Sequence, residues 1–372
     1  MDQGRDIDLV LVTGAGASRE FGARDEPLPL MADWSRALFE KLWKANNLYP
    51  EMTGLEKDLS GEKFEEHLGT FLRQVQAFPS VADLITQTMN LPNTPGPLKS
   101  QGVLDGWFNN LKFELKQITE NINESLYEQF ANVHLNVDGA AKAYEILLAA
   151  LEIKPKSNSL VVATTNYDPL AEAALQKLGY LPDWGMPAYP RGQEEVFINV
   201  DNILEGLPRY TPVLHLHGRV GWHRRTGEDN RVFAQWNPQY SRNSPEIPVV
   251  MLPDPEKTYD GDDVINTLWG QFTQALSRAK LVFVLGHSLN DKRLVNALRQ
   301  YVEPPERIII SLLADGDNTE RFDQAIGTFI LDVIAKQFPN ATLIPMKFRE
   351  EPIFSIVKIP ELIKQFRSSV GI

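Results

Sequence analysis

The sequence predicts an α/β fold: a doubly wound, mostly parallel sheet of the Rossmann-like kind with an inserted helical subdomain. Short apolar runs rich in β-branched residues recur along the chain, and helical patterns separate many of them. Several runs are continuously apolar, as strands buried on both faces are. This alternation of buried strands and helices is typical of parallel sheets that carry helices on both faces.

Six of the apolar runs are predicted as strands of this sheet, and four helical patterns accompany them. The strands are expected at Leu9–Thr13, Leu160–Thr164, Pro212–Leu216, Leu281–Leu285, Arg307–Leu313 and Ala341–Pro345. The helices are expected at Pro169–Leu178, Thr267–Lys280, Asp291–Val302 and Thr319–Phe338. Asp168 precedes the first helix as its expected N-cap.

A helical subdomain is predicted at residues 35–157, inserted into a sheet domain made of residues 1–34 and 158–372. Apolar residues recur there at steps of three and four, over residues 64–78, 104–122 and Ala140–Ile153. We expect these stripes to be core, with part of the surface serving self-association.

Two segments rich in Pro, Gly, Asn and Arg follow the insertion. Leu181–Tyr210 and Trp222–Pro248 are predicted as loops with short strands that cover one end of the sheet. Long loops beside a site are natural lids.

Composition narrows the classes of function. The 372 residues contain no cysteine, which removes disulfides, cysteine-based zinc sites and thiol nucleophiles. The net charge of −12 argues against strong nucleic-acid binding by the chain itself. No apolar run approaches about 20 residues, and the N-terminus is acidic, so no membrane span and no secretory signal are expected. We therefore expect a cytoplasmic protein.

The loop behind the first strand consists of small residues: Gly14, Ala15, Gly16, Ala17 and Ser18. One interpretation is steric, a tight turn that needs small side chains. The other is chemical, because backbone N–H groups at a helix start form a cradle for phosphate. Arg19 takes the third Gly position of the GxGxxG dinucleotide pattern, so this motif alone leaves both interpretations open.

The second strand runs into the polar sequence TTNYD, at the carboxyl end where open α/β sheets bind ligands. Asp168 has a structural role as a helix cap. Asn166 favours neither strand nor helix, and its amide can both donate and accept. It therefore suits a ribose hydroxyl or a water molecule.

The third strand carries His215 and His217, two positions apart and hence on the same side of a strand. No cysteine or nearby carboxylate completes a metal site, so no metal is expected. His217 stands before Gly218 at the strand end, where an imidazole can move protons near neutral pH. His215 is expected to be a packed neighbour. The other histidines outside the strand ends are expected to be incidental: His67, His134 and His223.

The fourth strand ends in Gly286, His287 and Ser288, a second small-residue turn at the same edge of the sheet. Packing alone does not readily explain four strand ends that all carry small or polar groups.

The motifs GAGAS, TTNYD, LHG and GHSLND, in this order, resemble those of the sirtuin family. The resemblance implies one NAD-binding sheet and NAD+ as the substrate. Asn166 would hold the nicotinamide ribose or the attacking water, and His217 would be the general base. The implied cofactor-binding residues are Gly14, Ala15, Gly16, Ala17, Ser18, Thr165, Asp168, Gly286, His287, Ser288 and Ser311.

Three departures separate the chain from deacylase sirtuins: the absence of cysteine, the helical insertion, and a longer interval between Asn166 and His217. With these departures the chain resembles the sirtuin-like domains of bacterial antiphage systems, which hydrolyse NAD+. The resemblance implies an NAD+ glycohydrolase that acts with a HerA-like ATPase or a short Argonaute. A protein deacylase and a non-catalytic sensor of NAD or ADP-ribose are the alternatives. A homo-oligomer with low basal activity is also expected.

Overall fold

The computed structural model of the chain contains a seven-stranded parallel sheet, the helices packed against it and a second, antiparallel sheet. The residues it describes are 7–19, 21, 113, 116–117, 120–131, 135–153, 159–186, 195–205, 209–225, 231–235, 246–251, 262–313, 334 and 336–346. No helix within these ranges is long and apolar enough to cross a membrane.

All six strands predicted from the sequence are confirmed to within two residues, and five more are present among the described residues. Numbered along the chain, the strands are β1 (Ile7–Thr13), β2 (Leu160–Thr164), β3 (Pro182–Asp183), β4 (Glu195–Phe197), β5 (Thr211–His215), β6 (Gly218–Arg225), β7 (Val232–Gln235), β8 (Glu246–Val250), β9 (Ala279–Leu285), β10 (Ile308–Leu313) and β11 (Thr342–Met346).

The first sheet has the strand order β11–β10–β9–β1–β2–β5–β3, with every neighbouring pair parallel. The chain moves outward from β1 through β2 to β5, then returns to the other side of β1 and moves outward again from β9. This is the doubly wound order of Rossmann folds, with the short β3 added at one edge. The order reverses between β1 and β9, where such sheets bind ligands beyond the carboxyl ends of their strands.

The described helices are α1 (Ala15–Arg19), α2 (residues 120–130), α3 (Val137–Ala150), α4 (Leu170–Lys177), α5 (Asp263–Arg278) and α6 (Lys292–Tyr301). Side chains cap several of them, because the first N–H groups of a helix have no partner within it. Asp262 accepts from the N–H of Ile265 (3.1 Å) at α5. Asn136 accepts from the N–H of Gly139 (2.9 Å) at α3. The helices expected around α4, α5 and α6 are thus confirmed, with shifted ends.

Most of the predicted insertion lies outside the described residues, including the apolar stripes at 64–78 and much of 104–122. Helix α3, expected from the sequence as part of it, packs against α4 and shares the core of the parallel sheet through Ala140, Tyr144 and Leu147. This helix therefore covers the sheet, while the division into domains stays a prediction. Of the helix expected at Thr319–Phe338, residues 334, 336 and 337 are described and helical.

The segments predicted as loops contain most of the second sheet, whose order is β4–β7–β6–β8 with all neighbours antiparallel. Strand β6 begins before the second segment, and β8 ends after it. Short strands were expected there, but their pairing into a sheet was not. Only two residues separate the end of β5 from the start of β6, so the chain passes directly from the parallel sheet into the antiparallel one.

Candidate active site

The four sequence motifs meet at the carboxyl edge of the first sheet. Thr13, at the end of β1, pairs with Thr164 of β2 and with Leu285 of β9. Thr164 pairs in turn with His215 of β5, and Leu285 with Ser311 of β10. The residues that follow these strand ends therefore lie side by side along one edge.

The GAGAS loop packs directly on the turn at Gly286 and His287. A Cβ atom added to Gly14 would lie 2.7 Å from the carbonyl oxygen of Gly286 and 2.7 Å from the Cα of His287. The N–H of Gly14 donates to the carbonyl of Leu285 (2.9 Å), and that of Gly16 donates to the carbonyl of Gly286 (2.9 Å). The small residues thus allow two loops to touch at the point where the strand order reverses.

These contacts bear on the two interpretations of the loop. The N–H groups of Gly14 and Gly16 are already bonded, and that of Ala17 donates to the carbonyl of Gly14 (2.9 Å). Ala15 is exposed, and the N–H of this residue has no hydrogen-bond acceptor in the described part of the chain. The steric interpretation therefore accounts for most of the loop, and phosphate binding stays a prediction that rests on Ala15.

The side chain of Asn166 is buried and held by the GAGAS loop. Its Nδ2 donates to the carbonyl oxygen of Gly14 (3.0 Å) and to the Oγ of Ser18 (2.8 Å). The backbone N–H of Asn166 donates to the Oγ1 of Thr164 (3.1 Å), and that of Thr165 donates to the carbonyl of Thr13 (3.1 Å). With the nitrogen anchored, the oxygen Oδ1 is the atom of this amide that can accept a bond from a ribose hydroxyl or from water.

Asp168 connects the same network to the start of α4. Its Oδ1 accepts from the Oγ of Ser18 (3.2 Å) and from the N–H of Leu170 (3.0 Å). Burial raises the pKa of Asp168, and the nearby Glu172 carboxylate raises it further, while the two hydrogen bonds oppose the change. The prediction of Asp168 as the N-cap is wrong by one residue, because the N-cap of α4 is Pro169, which has no side chain that can accept a hydrogen bond. Asp168 stands just before it and bonds the N–H of the first helical residue.

The imidazole of His217 is buried and bonded to Asp291, with 2.8 Å between Nε2 and Oδ2. The other oxygen of Asp291 caps α6 by accepting from the N–H groups of Arg293 (2.9 Å) and Leu294 (3.2 Å). In a neutral imidazole with this partner, Nε2 carries the proton and Nδ1 the lone pair, so Nδ1 is the atom that can take a proton. A buried carboxylate that orients histidine in this way favours a general base.

The second sheet adjoins the backbone of His217. Gly218 has a φ of +79°, and a Cβ atom there would lie 2.1 Å from the carbonyl oxygen of Val249 in β8. The N–H of Met251, just after β8, donates to the carbonyl of His217 (2.7 Å). The glycine after this histidine therefore lets β8 close against the backbone at the site.

Asp291 is the functional residue that the sequence did not reveal as one. It was predicted as the first residue of a helix, and the structure makes it the N-cap of α6, which begins at Lys292. Its contact with His217 joins residues that are 74 positions apart in the sequence, and no local sequence pattern predicts such a contact. The available signal was the position of the aspartate six residues beyond the end of β9, at the same edge of the sheet.

His215 packs behind the edge as expected and is fully buried. Its Nε2 lies 3.3 Å from the Oε2 of Glu172, whose Oε1 accepts from the Nε of Arg219 (2.7 Å). The guanidinium of Arg219 stacks on Trp184, 4.5 Å from the ring centroid. Burial alone would raise the pKa of Glu172, but His215 and Arg219 outweigh it and lower the pKa to about 2. The side chains of His215 and Glu172 are buried, so this cluster packs behind the strand ends and does not offer these groups to a ligand.

The remaining predicted residues lie at the same edge with different exposures. The Nδ1 of His287 accepts from the N–H of Leu289 (2.9 Å), which fixes the ring, and Ser288 is exposed. Ser311 is buried, and its carbonyl accepts from the N–H of Gly286 (3.1 Å). Of these residues, Ser288 offers its side chain most openly to a ligand.

Two of the histidines expected to be incidental, His67 and His134, lie outside the described residues. His223 is buried in the second sheet, where it meets Glu195 and Glu246 in a group that could hold a metal ion. In the described part of the chain no such group includes His217. The expectation that the chain binds no metal stays a prediction for the site of Asn166 and His217, whereas the group around His223 is a candidate that the sequence did not indicate.

Comparisons with known proteins find similarity to a SIR2-like domain and to solved structures of Sir2 homologues. A family model described as a SIR2-like domain matches residues 160–327, which include Asn166, His217 and Asp291. A solved complex of a Sir2 homologue with NAD is 16% identical, covers 98% of this chain and 91% of its own, and has a TM-score of 0.38. A Sir2 homologue mutant with 2′-O-acetyl ADP ribose is 16% identical, with 99% and 95% covered and a TM-score of 0.40. No curated protein matches the chain.

Proposed function

We propose that the chain cleaves the nicotinamide–ribose bond of NAD+ and releases nicotinamide and ADP-ribose. The observation that carries the proposal is the buried pair of His217 and Asp291, placed on the same sheet edge as the anchored amide of Asn166. The match of residues 160–327 to SIR2-like domains supports a nicotinamide dinucleotide as the ligand of this edge.

The reaction needs few groups, because the positively charged pyridinium is already a good leaving group. The bond between the ribose C1′ and the pyridinium nitrogen breaks, and its electron pair goes to that nitrogen, so neutral nicotinamide leaves. The oxygen of a water molecule bonds to C1′, and the proton it loses goes to the Nδ1 of His217. Asn166 holds the water or a ribose hydroxyl through Oδ1. Positioning and proton transfer supply the catalysis.

The dinucleotide would lie across the point where the strand order reverses, between the ends of β1 and β9. Ala15 on one of the two loops and Ser288 on the other are exposed, and they offer a backbone N–H and a hydroxyl. Both are donors and suit the oxygens of a pyrophosphate.

Hydrolysis is favoured over deacylation because the chain lacks the paired cysteines that build the zinc module of deacylase sirtuins. In deacylation an acyl-lysine oxygen, not water, would attack C1′. A sensor that binds NAD+ without turnover would have no need of an oriented base, whereas His217 has a dedicated carboxylate partner.

A cytoplasmic enzyme that destroys NAD+ must be restrained at rest, and we propose control by assembly. The site would belong to an antiphage effector with low basal activity, a homo-oligomer built partly through residues 35–157. A HerA-like ATPase or a short Argonaute would raise its activity. The hydrogen bond from the N–H of Met251 to the carbonyl of His217 offers one route for this control. A partner that binds the second sheet would shift β8 and, through this bond, the position of the base.

The products formed by the purified chain test the proposal. The protein is incubated with NAD+, with and without an acylated peptide, and nicotinamide, ADP-ribose and O-acyl-ADP-ribose are resolved. We expect nicotinamide and ADP-ribose in equal amounts without any acyl acceptor. O-acyl-ADP-ribose formed only with peptide would establish deacylation instead. Saturable binding of NAD+ with no product, at high protein concentration and with a candidate partner added, would establish a sensor.

A further inference from the structure

Three strands of the second sheet bring one histidine and two glutamates together, away from the proposed catalytic residues. His223 lies on β6, Glu195 on β4 and Glu246 on β8. The Nε2 of His223 contacts the Oε1 of Glu195 and lies 3.5 Å from the Oε1 of Glu246. The donor atoms all lie within 4.8 Å of one another.

The imidazole of His223 is oriented toward these carboxylates, and its Nε2 contacts Glu195 without the geometry of a hydrogen bond. The side chain is 1% exposed, and neither ring nitrogen makes a hydrogen bond with the described residues. The ring stacks on Phe233, with centroids 6.0 Å apart, which fixes its plane. A buried polar ring without a hydrogen bond is unfavourable unless another ligand satisfies it.

Each glutamate presents its Oε1 to His223 and has its Oε2 held by a neighbour, and the Nε of Arg225 also lies 3.8 Å from the Oε1 of Glu246. The Oε2 of Glu195 accepts from the Nη2 of Arg225, and the Oε2 of Glu246 accepts from the Nε2 of Gln235 (3.1 Å). Outer partners of this kind typically orient the carboxylates that ligate metals. Two carboxylates and the one guanidinium of Arg225 also leave a net negative charge, which favours a cation.

We propose that Glu195, His223 and Glu246 bind a divalent metal of the zinc type, with water as a fourth ligand. One imidazole nitrogen and two carboxylate oxygens are ligands that zinc accepts, and magnesium and calcium prefer all-oxygen sites. In a tetrahedral site with bonds of about 2.0–2.1 Å, ligand atoms lie about 3.3 Å apart. The Nε2 of His223 lies 3.5 Å from the Oε1 of Glu246, and its contact with Glu195 is shorter and would have to lengthen. A modest adjustment of the side chains would therefore complete the site.

The metal would have a structural role that is independent of the proposed NAD+ chemistry. It would join the two edge strands, β4 and β8, to β6 between them. Strand β6 begins directly after His217, and the residue after β8 bonds to the His217 carbonyl. Bound metal would thus fix the sheet that adjoins the catalytic histidine without taking part in the reaction.

Metal content and thermal stability test this site in the full chain without an affinity tag. The protein is stripped with a chelator, dialysed against Zn²⁺ and assayed by elemental analysis, and its Tm is measured with and without Zn²⁺. We expect one zinc per chain and a Tm that rises by several degrees on binding. Glu195→Gln and Glu246→Gln should each weaken zinc binding at least about tenfold. Glu145→Gln, an exposed carboxylate on α3, is the matched control.

The two glutamine variants are the decisive ones, because both side chains are partly exposed and nearly isosteric with the originals. His223→Gln should also abolish zinc binding if it folds. Absence of stoichiometric zinc together with an unchanged Tm would overturn the proposal. So would zinc that binds the Glu195→Gln and Glu246→Gln variants as tightly as it binds the control.

Discussion

Replacing Asp291 by Asn separates the two tasks of this side chain. Asn is as good an N-cap as Asp, so its oxygen can keep the bonds to the N–H groups of Arg293 and Leu294. The amide nitrogen then takes the place of Oδ2 and presents an N–H to the Nε2 of His217. To accept this bond, the imidazole must carry its lone pair on Nε2 and its proton on Nδ1. Nδ1 can then no longer accept a proton from water.

The size of the effect follows from the bond that is lost. A hydrogen bond to a charged group contributes about 1.5–3 kcal/mol, which corresponds to a rate loss of roughly 10- to 150-fold. Breaking the new amide bond to restore the active tautomer costs about 1 kcal/mol more, or roughly fivefold. We therefore expect kcat for NAD+ cleavage to fall by about 10²- to 10³-fold, within the range that general bases supply.

The assay is nicotinamide release under saturating NAD+, followed over a range of pH. Asp291→Asn should lower kcat with little change in KM or Tm, and the acid limb of its pH profile should move. Asp291→Ala should lower kcat as well, and it should also lower the free energy of unfolding by about 1 kcal/mol through loss of the cap. Wild-type kcat and an unchanged pH profile in Asp291→Asn would refute the role assigned to the pair.

Two further predictions concern stability. Gly14→Ala places a Cβ 2.7 Å from two backbone atoms of the turn at Gly286. We therefore expect urea unfolding to show a free energy of unfolding lower by about 1–3 kcal/mol, and we expect weaker NAD+ binding. Wild-type values for both quantities would contradict the close contact. Glu172 has its pKa lowered from 4.5 to about 2, so its stabilisation, about 3 kcal/mol, is present above pH 4.5 and lost as the pH falls toward 2. Glu172→Gln should therefore lower the free energy of unfolding at neutral pH, and this free energy should fall less steeply in acid than that of the wild type. An equally steep fall would mean that other groups cause the loss of stability in acid.

The strands of the parallel sheet were predictable because their signal is local. Leu160–Thr164 was expected at the observed bounds, since a continuous apolar run between polar segments defines its own ends. The order of the strands follows from the same pattern, because alternating strands and helices produce few topologies. The shared edge of Asn166 and His217 was therefore predictable from their positions after two such strands.

The second sheet was not predictable in the same way. Strand β8 (Glu246–Val250) contains a proline and an exposed isoleucine, and β6 carries charged residues at its end, so neither shows a clean apolar period. Pairing of β4 with β7 depends on contacts between distant residues, which local propensity does not encode. The contact of Asp291 with His217 was missed for the same reason.

The most direct test of the central claim is the turnover of NAD+ by the His217→Ala and Asn166→Ala variants, measured beside their binding of NAD+. The exposed Asn199→Ala is the matched control for the amide. We expect the wild type and the control to release nicotinamide and ADP-ribose, and both site variants to lose turnover while they keep the wild-type circular dichroism spectrum. Their Tm should fall by a few degrees, because each substitution removes buried hydrogen bonds. Full NAD+ cleavage by a correctly folded His217→Ala variant would contradict the assignment of the base and the account of the site that rests on it.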